Sequence, residues 1–466
     1  MTTAVIGVQW GDEGKGKIVD LLAPNFDICC RDQGGDNAGH TVVVGGHKTV
    51  LHLITSGILS SRTRSVLGCG VKINPNSLDY EIEELRSKGI PINRARLLVS
   101  DRAHLILPYH IARDCASEIG EGIGTTLKGI GPAYEDEVGR RGIRVCDVLQ
   151  WSNSALERKI EEYCQRADNL IHYVNKVSYR SLVAFEKERK KMLRDSLEPY
   201  LEPDHNPPLA EKKQILNHAA IIEMLRRHKP LLQEHACDTA TYLQDQKSVL
   251  HEAAQGALLD INMGTYPMVT SSCTGYGGLL TGSGTATRFD RVIGVVKAYS
   301  TRVGGGTMPT ELKDAIGDYL QSCGNEVGAT TGRKRRCGWL DLVAVKHGLR
   351  IAGATELALT KLDILDGLAE IQICTGYTLD GTDVSFPPMN DQLERVVPQY
   401  KTFEGWKKPI GEIRRREDLP KEAQAYLSFI EQETKLPIRI IGVGEDRDAT
   451  ILAPSEISYG ALRDGR

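Results

Sequence analysis

The sequence predicts an α/β fold in which a large, mostly parallel β-sheet is flanked by helices. Two observations support this prediction. Short apolar runs recur along the chain between loop residues, and they lack the polar alternation of a sheet with one face in water. The first run then leads through a glycine-rich loop into a helical pattern at Ile18, Val19 and Leu22, which is the strand–loop–helix unit that opens many α/β folds.

Five apolar runs are the predicted strands of this sheet. They cover residues 4–8, 96–99, 293–296, 357–359 and 438–441. Because helices cover both faces of a parallel sheet, we expect these strands to be buried along their whole length.

A charged, glycine-poor segment lies between residues 149 and 229. Within it, Leu156, Ile160, Tyr163 and Ala167 follow the three-and-four spacing of an amphipathic helix. Its many Arg, Lys and Glu residues are typical of a solvated helix face rather than of a binding surface. We therefore expect one large α/β domain over residues 1–466, with a mainly helical insertion at residues 102–235.

Composition excludes several classes of protein. Lys and Arg together number 58 and Asp and Glu 61, so the net charge is −3 and no nucleic-acid partner is expected. No apolar run approaches the roughly 20 residues of a membrane-spanning helix, and the N-terminus does not resemble a signal peptide. The eleven cysteines form no C-x-x-C pair and are expected to be reduced thiols. We therefore expect a cytoplasmic protein with no membrane partner.

The loop after the first predicted strand reads Gly-Asp-Glu-Gly-Lys-Gly-Lys over residues 11–17. Its spacing matches the G-x-x-x-x-G-K of a P-loop, but Ile18 stands where that motif places the Ser or Thr that holds magnesium. Backbone N–H groups and two lysines can still hold a phosphate at the helix start, so a P-loop-like nucleotide-binding fold is predicted. A carboxylate repels phosphates unless a magnesium ion, or a proton taken from a substrate, offsets its charge. Asp12 or Glu13 is therefore a predicted metal ligand, general base or both.

Three further loops combine glycines with polar side chains. Residues 33–41 carry His40 beside glycines and an Asn, which lets a ligand approach closely. Residues 121–132 carry paired hydroxyls and are followed by Arg140, a combination that suits a monophosphate. Residues 330–336 place two threonines and a glycine before a dense basic run, which favours an anion-binding loop over a nucleic-acid patch.

The residues 360–363, Thr-Lys-Leu-Asp, directly follow the apolar run 357–359. A carboxylate at Asp363 accepts two N–H donors, and guanine presents N1–H and N2–H side by side whereas adenine does not. The aliphatic stem of Lys361 can lie on the face of a base. This short pattern indicates guanine recognition.

Taken together, these loops resemble the adenylosuccinate synthetase family over nearly the whole chain. The matching motifs occur in order at residues 9–17, 37–41, 129–134, 265–272, 328–333 and 360–363. The resemblance implies a homodimeric ligase of purine biosynthesis that uses GTP and Mg²⁺ to join IMP and L-aspartate. It also implies a 6-phosphoryl-IMP intermediate, with GDP and phosphate as the other products.

The resemblance implies a role for each matching residue of this chain. The implied catalytic residues are Asp12, Lys15, His40 and Gln255. The implied magnesium ligands are Asp12 and Gly39. IMP would contact Asn37, Thr126, Arg140, Gln255, Thr270 and Arg333, with Arg140 reaching the IMP phosphate of the neighbouring subunit. Aspartate would contact Ala329, Thr330, Thr331, Arg333 and Arg335. GTP would contact Gly11, Asp12, Glu13, Gly14, Lys15, Gly16, Lys17, Gly39, His40, Thr41, Arg335, Lys361, Leu362, Asp363, Gly442, Val443 and Gly444.

Two other functions remain open at this point. One is a ligase acting on a different purine monophosphate, such as a 2-aminopurine. The other is a GTP-binding protein without catalytic activity, which would not need Thr126, Thr270 or Arg333. The chain also departs from the family pattern at Asp32, Asp36 and Ala253, where the family is expected to carry Tyr, His and Gly.

Overall fold

The structure is a computed structural model that describes residues 1–174, 177, 181–182, 184–185, 197–201, 215–286, 288–328, 332–387 and 389–454. The strands, in chain order, are β1 Thr2–Gly7, β2 Ile28–Gly34, β3 His40–Val44, β4 His47–Leu51, β5 Arg64–Ile73, β6 Leu97–Ser100, β7 His104–Leu105, β8 Ala236–Cys237, β9 Val249–Glu252, β10 Arg291–Lys297, β11 Ser300–Arg302, β12 Arg336–Gly338, β13 Leu340–Asp341, β14 Glu356–Thr360, β15 Glu370–Leu379, β16 Thr382–Val384, β17 Val397–Glu404, β18 Ile438–Gly442 and β19 Thr450–Leu452.

Helices flank these strands. In chain order they are α1 Lys15–Leu22, α2 Pro75–Ser87, α3 Pro108–Glu121, α4 Ile130–Val138, α5 Val145–Gln150, α6 Asn153–Asn169, α7 His218–His235, α8 Thr239–Gln244, α9 Tyr276–Ser283, α10 Ala315–Cys323, α11 Leu342–Ala352, α12 Asn390–Arg395 and α13 Lys421–Thr434.

An eleven-stranded sheet forms the centre of the molecule. Ten of its strands lie in the order β19-β18-β14-β10-β1-β9-β2-β5-β6-β8, and β7 pairs with β5. The neighbours in this sheet run parallel except β18 and β19, which are antiparallel. The five predicted strands are confirmed as β1, β6, β10, β14 and β18. The predicted fold class, a mostly parallel sheet flanked by helices, is also confirmed.

Burial explains why these runs form parallel strands. Every residue of β1 is buried, because α1 covers one of its faces and other core residues cover the opposite one. Ile18 and Val19 of α1 pack with Val5 and Ile293 in one apolar cluster. A strand that is covered on both sides shows no polar alternation, which is why the sequence displays continuous apolar runs.

The segment at residues 102–235 is largely helical where the structure describes it. The helices α3 to α7 lie within residues 102–235, and α6 continues into a π-helical turn at Leu170–Val174. Leu156 and Ile160 of α6 are buried in the same apolar cluster as β6 and α2. The division into one domain with a helical insertion stays a prediction.

Within the described residues, no helix combines the length and apolar character needed to cross a bilayer.

Candidate active site

The glycine-rich loops meet at one edge of the central sheet, where its parallel strands end. The loops after β1, β2, β9, β14 and β18 all leave from the carboxyl ends of neighbouring strands. This is the edge at which open α/β sheets bind ligands. Direct contacts join the loops: Thr360 Oγ1 donates to the carbonyl of Glu13 at 2.6 Å, and Lys17 Nζ donates to that of Gly444 at 2.8 Å.

Glu13 holds the first loop in shape from the inside. Its buried carboxylate accepts hydrogen bonds from the backbone N–H of Gln9 at 3.1 Å and of Gly11 at 2.9 Å. It also pairs with Lys15 Nζ at 2.8 Å. Gly14 then turns the chain into α1 with φ of 85°, a conformation that favours glycine. Glu13 is therefore an internal brace of the loop, and its carboxylate does not face the surface.

Asp12 is the acid of this loop that faces the site. Its side chain is 30% exposed, and its Oδ2 accepts a hydrogen bond from Arg335 Nε at 2.8 Å. Asp12 adopts φ of 60°, an uncommon conformation for a residue other than glycine. Of the two acids that the sequence left open, the geometry favours Asp12 as the metal ligand or base.

Glu326 anchors the cationic side of the site. This buried carboxylate accepts from Arg335 at 2.7 Å, Lys361 at 2.8 Å and Lys297 at 3.0 Å. Burial alone would raise the pKa of Glu326, but the three cations hold that pKa well below its usual range. Sequence reasoning missed Glu326, since a single acid shortly before a basic run carries no distinctive pattern.

His40 is held by a second carboxylate that the sequence analysis missed. Its Nδ1 contacts Glu252, which is fully buried at the carboxyl end of β9. The backbone N–H of Ser56 at 2.7 Å and its hydroxyl at 2.8 Å also donate to Glu252. Burial raises the pKa of Glu252, yet His40 and Ser56 together keep it below the ordinary value. The available signal was an acid at the end of the short strand Val249–Glu252, which begins with two apolar residues.

Gln255 and Asn37 connect the loops after β9 and β2. Gln255 Nε2 donates to Asn37 Oδ1 at 3.3 Å, and Gln255 adopts φ of 56°. Its buried Oε1 has no hydrogen-bond partner among the described residues. Nearby, the unexpected Asp36 is buried and accepts from Ser77 at 2.6 Å. A buried amide oxygen without a partner indicates a place where a ligand can donate a hydrogen bond.

Two carboxylates of α3 brace the loop that carries Thr126. Glu118 accepts from the backbone N–H of Gly124 at 3.0 Å, and Asp114 accepts from that of Gly129 at 2.9 Å. Burial raises the pKa of Asp114 to about 6. Arg333 donates to the carbonyl of Gly124 at 2.9 Å, which joins the basic run to this loop. Thr126 itself is half-buried.

The remaining predicted substrate residues lie in different surroundings. Thr270 is half-buried, and its N–H donates to the carbonyl of Leu259 at 2.9 Å. Arg140 is exposed just after α4, with φ of 58°. Ala329, Thr330 and Thr331 lie outside the described residues.

The predicted guanine end of the site is lined by Asp363 and Lys17. Asp363 Oδ1 is buried without a hydrogen-bond partner among the described residues, and burial raises the pKa of this carboxyl group. Lys17 Nζ donates to the carbonyls of Gly444 and Ala449, each at 2.8 Å, and burial lowers its pKa to about 8. Lys361 points its ammonium at Glu326, while Leu362 and Val443 are buried.

Residues 39–41 lie against the first loop. A Cβ on Gly16 would come within 3.2 Å of both His40 Cβ and Ser56 Oγ, so α1 approaches the start of β3 closely. Glycine at this position therefore permits the approach. The loop with Asp12 and the loop with Gly39 and Thr41 therefore lie together at the sheet edge.

Comparison with known proteins identifies the family of this chain. The family model described as adenylosuccinate synthetase matches residues 4–206 and 173–451. The adenylosuccinate synthetase of Hahella chejuensis is 44% identical over 453 residues, which is 96% of this chain and 97% of that protein. That of Myxococcus xanthus is 45% identical over 453 residues, with the same two shares.

Solved structures give the same result. The fully ligated adenylosuccinate synthetase from Plasmodium falciparum is 35% identical with a TM-score of 0.84, over 97% of this chain and 99% of that one. A cyanophage S-2L succinoaminodeoxyadenylate synthetase, at 18% identity and a TM-score of 0.54, shares the fold. The chain therefore belongs to the adenylosuccinate synthetase family, whose members are GTP-dependent ligases that join IMP and L-aspartate.

Proposed function

We propose that this ligase makes adenylosuccinate in two chemical steps at the sheet edge where the loops of Asp12 and His40 meet. Asp12 takes the N1 proton of IMP while O6 attacks the γ-phosphorus of GTP, and GDP leaves. The amine of aspartate then attacks C6 and displaces the 6-phosphoryl group as phosphate. The observation that carries this proposal is the pairing of a partly exposed Asp12 with a buried Glu252–His40 contact at one sheet edge.

His40 would act as the acid that supports transfer and departure of the phosphoryl group. Its contact with Glu252 occupies Nδ1, which leaves Nε2 as the ring nitrogen for a substrate. Lys15 would neutralise charge on the transferring group, although in this structure Glu13 already balances its charge. We therefore expect His40 to contribute more to the chemical step than Lys15.

IMP would lie between the loops after β2, β9 and α3. Gln255 Oε1, which is buried without a described partner, would accept a hydrogen bond from the ligand. Asn37, Thr126, Thr270 and Arg333 would complete the IMP contacts. The aspartate substrate would bind Arg333 and Arg335, together with Ala329, Thr330 and Thr331.

The residues present fit a magnesium ion at Asp12 and Gly39. A carboxylate and a backbone carbonyl are the hard oxygen ligands that Mg²⁺ prefers, and the two loops that carry them are in contact. When bound, the ion would supply positive charge to the phosphates of GTP. Arg335 Nε, which holds Asp12 at 2.8 Å, would have to release that oxygen or share it.

Asp363 would recognise the guanine base of GTP. Its buried Oδ1 receives no hydrogen bond from any described residue, so an N–H group of the bound base would donate to it. Lys17 and the backbone of residues 11–17 would hold the phosphates, with Gly442, Val443 and Gly444 beside them.

We further propose a cytoplasmic homodimer with shared active sites. Arg140 is exposed at the end of α4, next to Val138, whose side chain is also exposed. In this dimer Arg140 would contact the IMP phosphate of the neighbouring subunit. All eleven cysteines are free thiols, as in a reducing compartment.

The deciding experiment follows adenylosuccinate formation by absorbance with IMP, GTP, Mg²⁺ and aspartate, leaving out one component at a time. We expect product only with all four present. A reaction with GMP in place of IMP tests the alternative purine monophosphate. Equal rates with GMP would contradict the proposed substrate, and GTP binding without any turnover would contradict the proposed ligase.

A further inference from the structure

A second group of chemically reactive side chains is buried on the central sheet, apart from the proposed catalytic residues. Cys30 and Asp32 on β2 and His251 on β9 are buried, with relative exposures of 0%, 0% and 2%. Cys30 Sγ lies 2.9 Å from Asp32 Oδ1, and His251 Nδ1 lies 2.7 Å from Asp32 Oδ2. Their sulfur, oxygen and nitrogen atoms lie within 4.8 Å of one another. We call these three residues the Cys–Asp–His cluster.

Strand register brings the cluster together. Cys30 is paired directly with His251 across the parallel strands β2 and β9. Side chains alternate between the faces of a sheet, so Cys30 and Asp32 project from the same face of β2. Glu252, the residue after His251, projects from the opposite face, where it contacts His40. The cluster is therefore separated from the proposed catalytic residues by the sheet itself.

The carboxyl end of α9 covers the cluster. A Cβ on Gly282 would lie 1.8 Å from the carbonyl of Asp32, so this glycine lets the helix pack directly onto β2. Cys69 on β5 lies under the same end, with its Sγ 3.2 Å from the carbonyl of Gly282. Burial first, and the charge of Asp32 second, raise the pKa of the Cys69 thiol. The carbonyl end of a helix favours a cation over an anion.

The chemistry of the donors indicates which cation. A thiolate, an imidazole and a carboxylate form a mixed set that suits Zn²⁺, whereas Mg²⁺ takes oxygen ligands. Zn²⁺ with one thiolate, one carboxylate and one neutral imidazole would leave the buried site without net charge, as burial demands. Nothing in the proposed ligase reaction uses these three residues.

We propose that Cys30, Asp32 and His251 bind a Zn²⁺ ion as its three protein ligands, on the face of the sheet that α9 covers. On binding, the Cys30 thiol releases its proton to the solvent, the neutral His251 imidazole binds through one ring nitrogen, and Zn²⁺ replaces the hydrogen bonds to Asp32. The proposal is independent of the ligase reaction, because zinc binding is measured without substrates.

The test uses the full chain, reduced, treated with a chelator and then kept in excess Mg²⁺. Zinc binding is measured by competition with a chromophoric chelator and by elemental analysis after gel filtration. We expect about one Zn²⁺ per chain, and Co²⁺ should give a thiolate-to-cobalt charge-transfer band. Cys30→Ser keeps a hydroxyl that can donate to Asp32. It should weaken Zn²⁺ binding by more than the roughly 10–100-fold that loss of an outer-shell partner costs.

Cys164→Ser is the matched control, since Cys164 is another buried cysteine but lies on α6. It should bind Zn²⁺ like the unchanged protein and show the same cobalt band. If the unchanged protein retains no zinc, or if Cys30→Ser binds it equally well, the proposal is overturned and the cluster is a hydrogen-bonded triad. The cobalt spectrum of the unchanged protein decides the question even if Cys30→Ser does not fold.

Discussion

Glu252 orients His40 from the buried interior of the sheet. The carboxylate is fully buried at the end of β9, and it contacts Nδ1 of the imidazole across 212 positions of sequence (252 minus 40). A buried carboxylate that contacts one ring nitrogen fixes the tautomer and the orientation of the imidazole, and so directs the other nitrogen, as in catalytic triads. Glu252 is therefore a positioning residue for the proposed acid.

Glu252→Gln should lower kcat by roughly 10²-fold while the KM values for IMP and GTP change little. The amide keeps the size of the side chain but loses the charge that favours the imidazolium. The measurement is steady-state kinetics on Glu252→Gln, on His40→Asn and on the double variant. We expect the double variant to be no slower than His40→Asn alone. Additive losses would show that Glu252 acts separately from His40.

Asp12→Asn should bind GTP and IMP but lose turnover by about 10²–10⁴-fold. The amide is similar in size, yet it is neither a base nor a strong metal ligand. Binding is measured by calorimetry and turnover by absorbance. Glu13→Gln provides the contrast: because Glu13 is buried within the loop, that variant should lose thermal stability as well as activity. A near-normal kcat for Asp12→Asn would remove Asp12 from the mechanism.

GTP affinity should fall as the pH rises above about 8. In the free protein burial lowers the pKa of Lys17 to about 8, so its positive charge is present below that pH and lost above it. Phosphates favour the charged form and raise this pKa, so GTP binding should take up a proton. The dissociation constant should then increase roughly tenfold per pH unit between the two pKa values.

Calorimetry in two buffers with different ionisation enthalpies measures this proton uptake. Lys17→Arg is the control, because a guanidinium keeps its charge throughout the range. The dissociation constant of this variant should show no such rise. If the unchanged protein and the Lys17→Arg variant gave the same pH profile, the charge of Lys17 would not control GTP affinity. Lys17 would then act only through its hydrogen bonds to Gly444 and Ala449.

Asp363→Asn should weaken GTP and improve XTP. The carboxylate accepts from both N1–H and the N2 amine of guanine, whereas xanthine carries a carbonyl at C2 that an amide can donate to. Replacing a charge-assisted pair with a mismatched buried one should cost roughly 1.5–3 kcal/mol, or about ten- to more than a hundred-fold in affinity. The KM values for GTP, XTP and ATP at saturating IMP and aspartate test this. An equal response of GTP and XTP would show that Asp363 does not read the base.

Arg140→Leu should raise the KM for IMP far more than the KM for GTP, because the proposed contact is a phosphate contact from the other subunit. Mixing this variant with Asp12→Asn subunits should restore part of the activity, since one hybrid site then contains both groups. Hybrid formation is verified with differently tagged subunits. Hybrid dimers without recovered activity would refute a shared site.

Local patterns in the sequence were sufficient to predict the sheet and the loops. The runs at residues 4–8, 293–296 and 357–359 became β1, β10 and β14, because burial on both faces leaves a continuous apolar signature. The glycine-rich loop at residues 11–17 follows β1, as the strand–loop–helix pattern predicted. Family membership followed from the same motifs, and the comparisons confirm it.

The tertiary structure decided which charges meet, because ion pairs depend on burial and on distances between residues far apart in the chain. In the folded chain Glu13 is buried against Lys15, whereas Asp12 is partly exposed beside Arg335. It also brought Glu252 to His40, and Glu326 to Lys297 and Lys361, all of which are distant in the chain. The carboxyl ends of parallel strands gather distant segments at one edge, and no local pattern specifies which acid then lies beside which base.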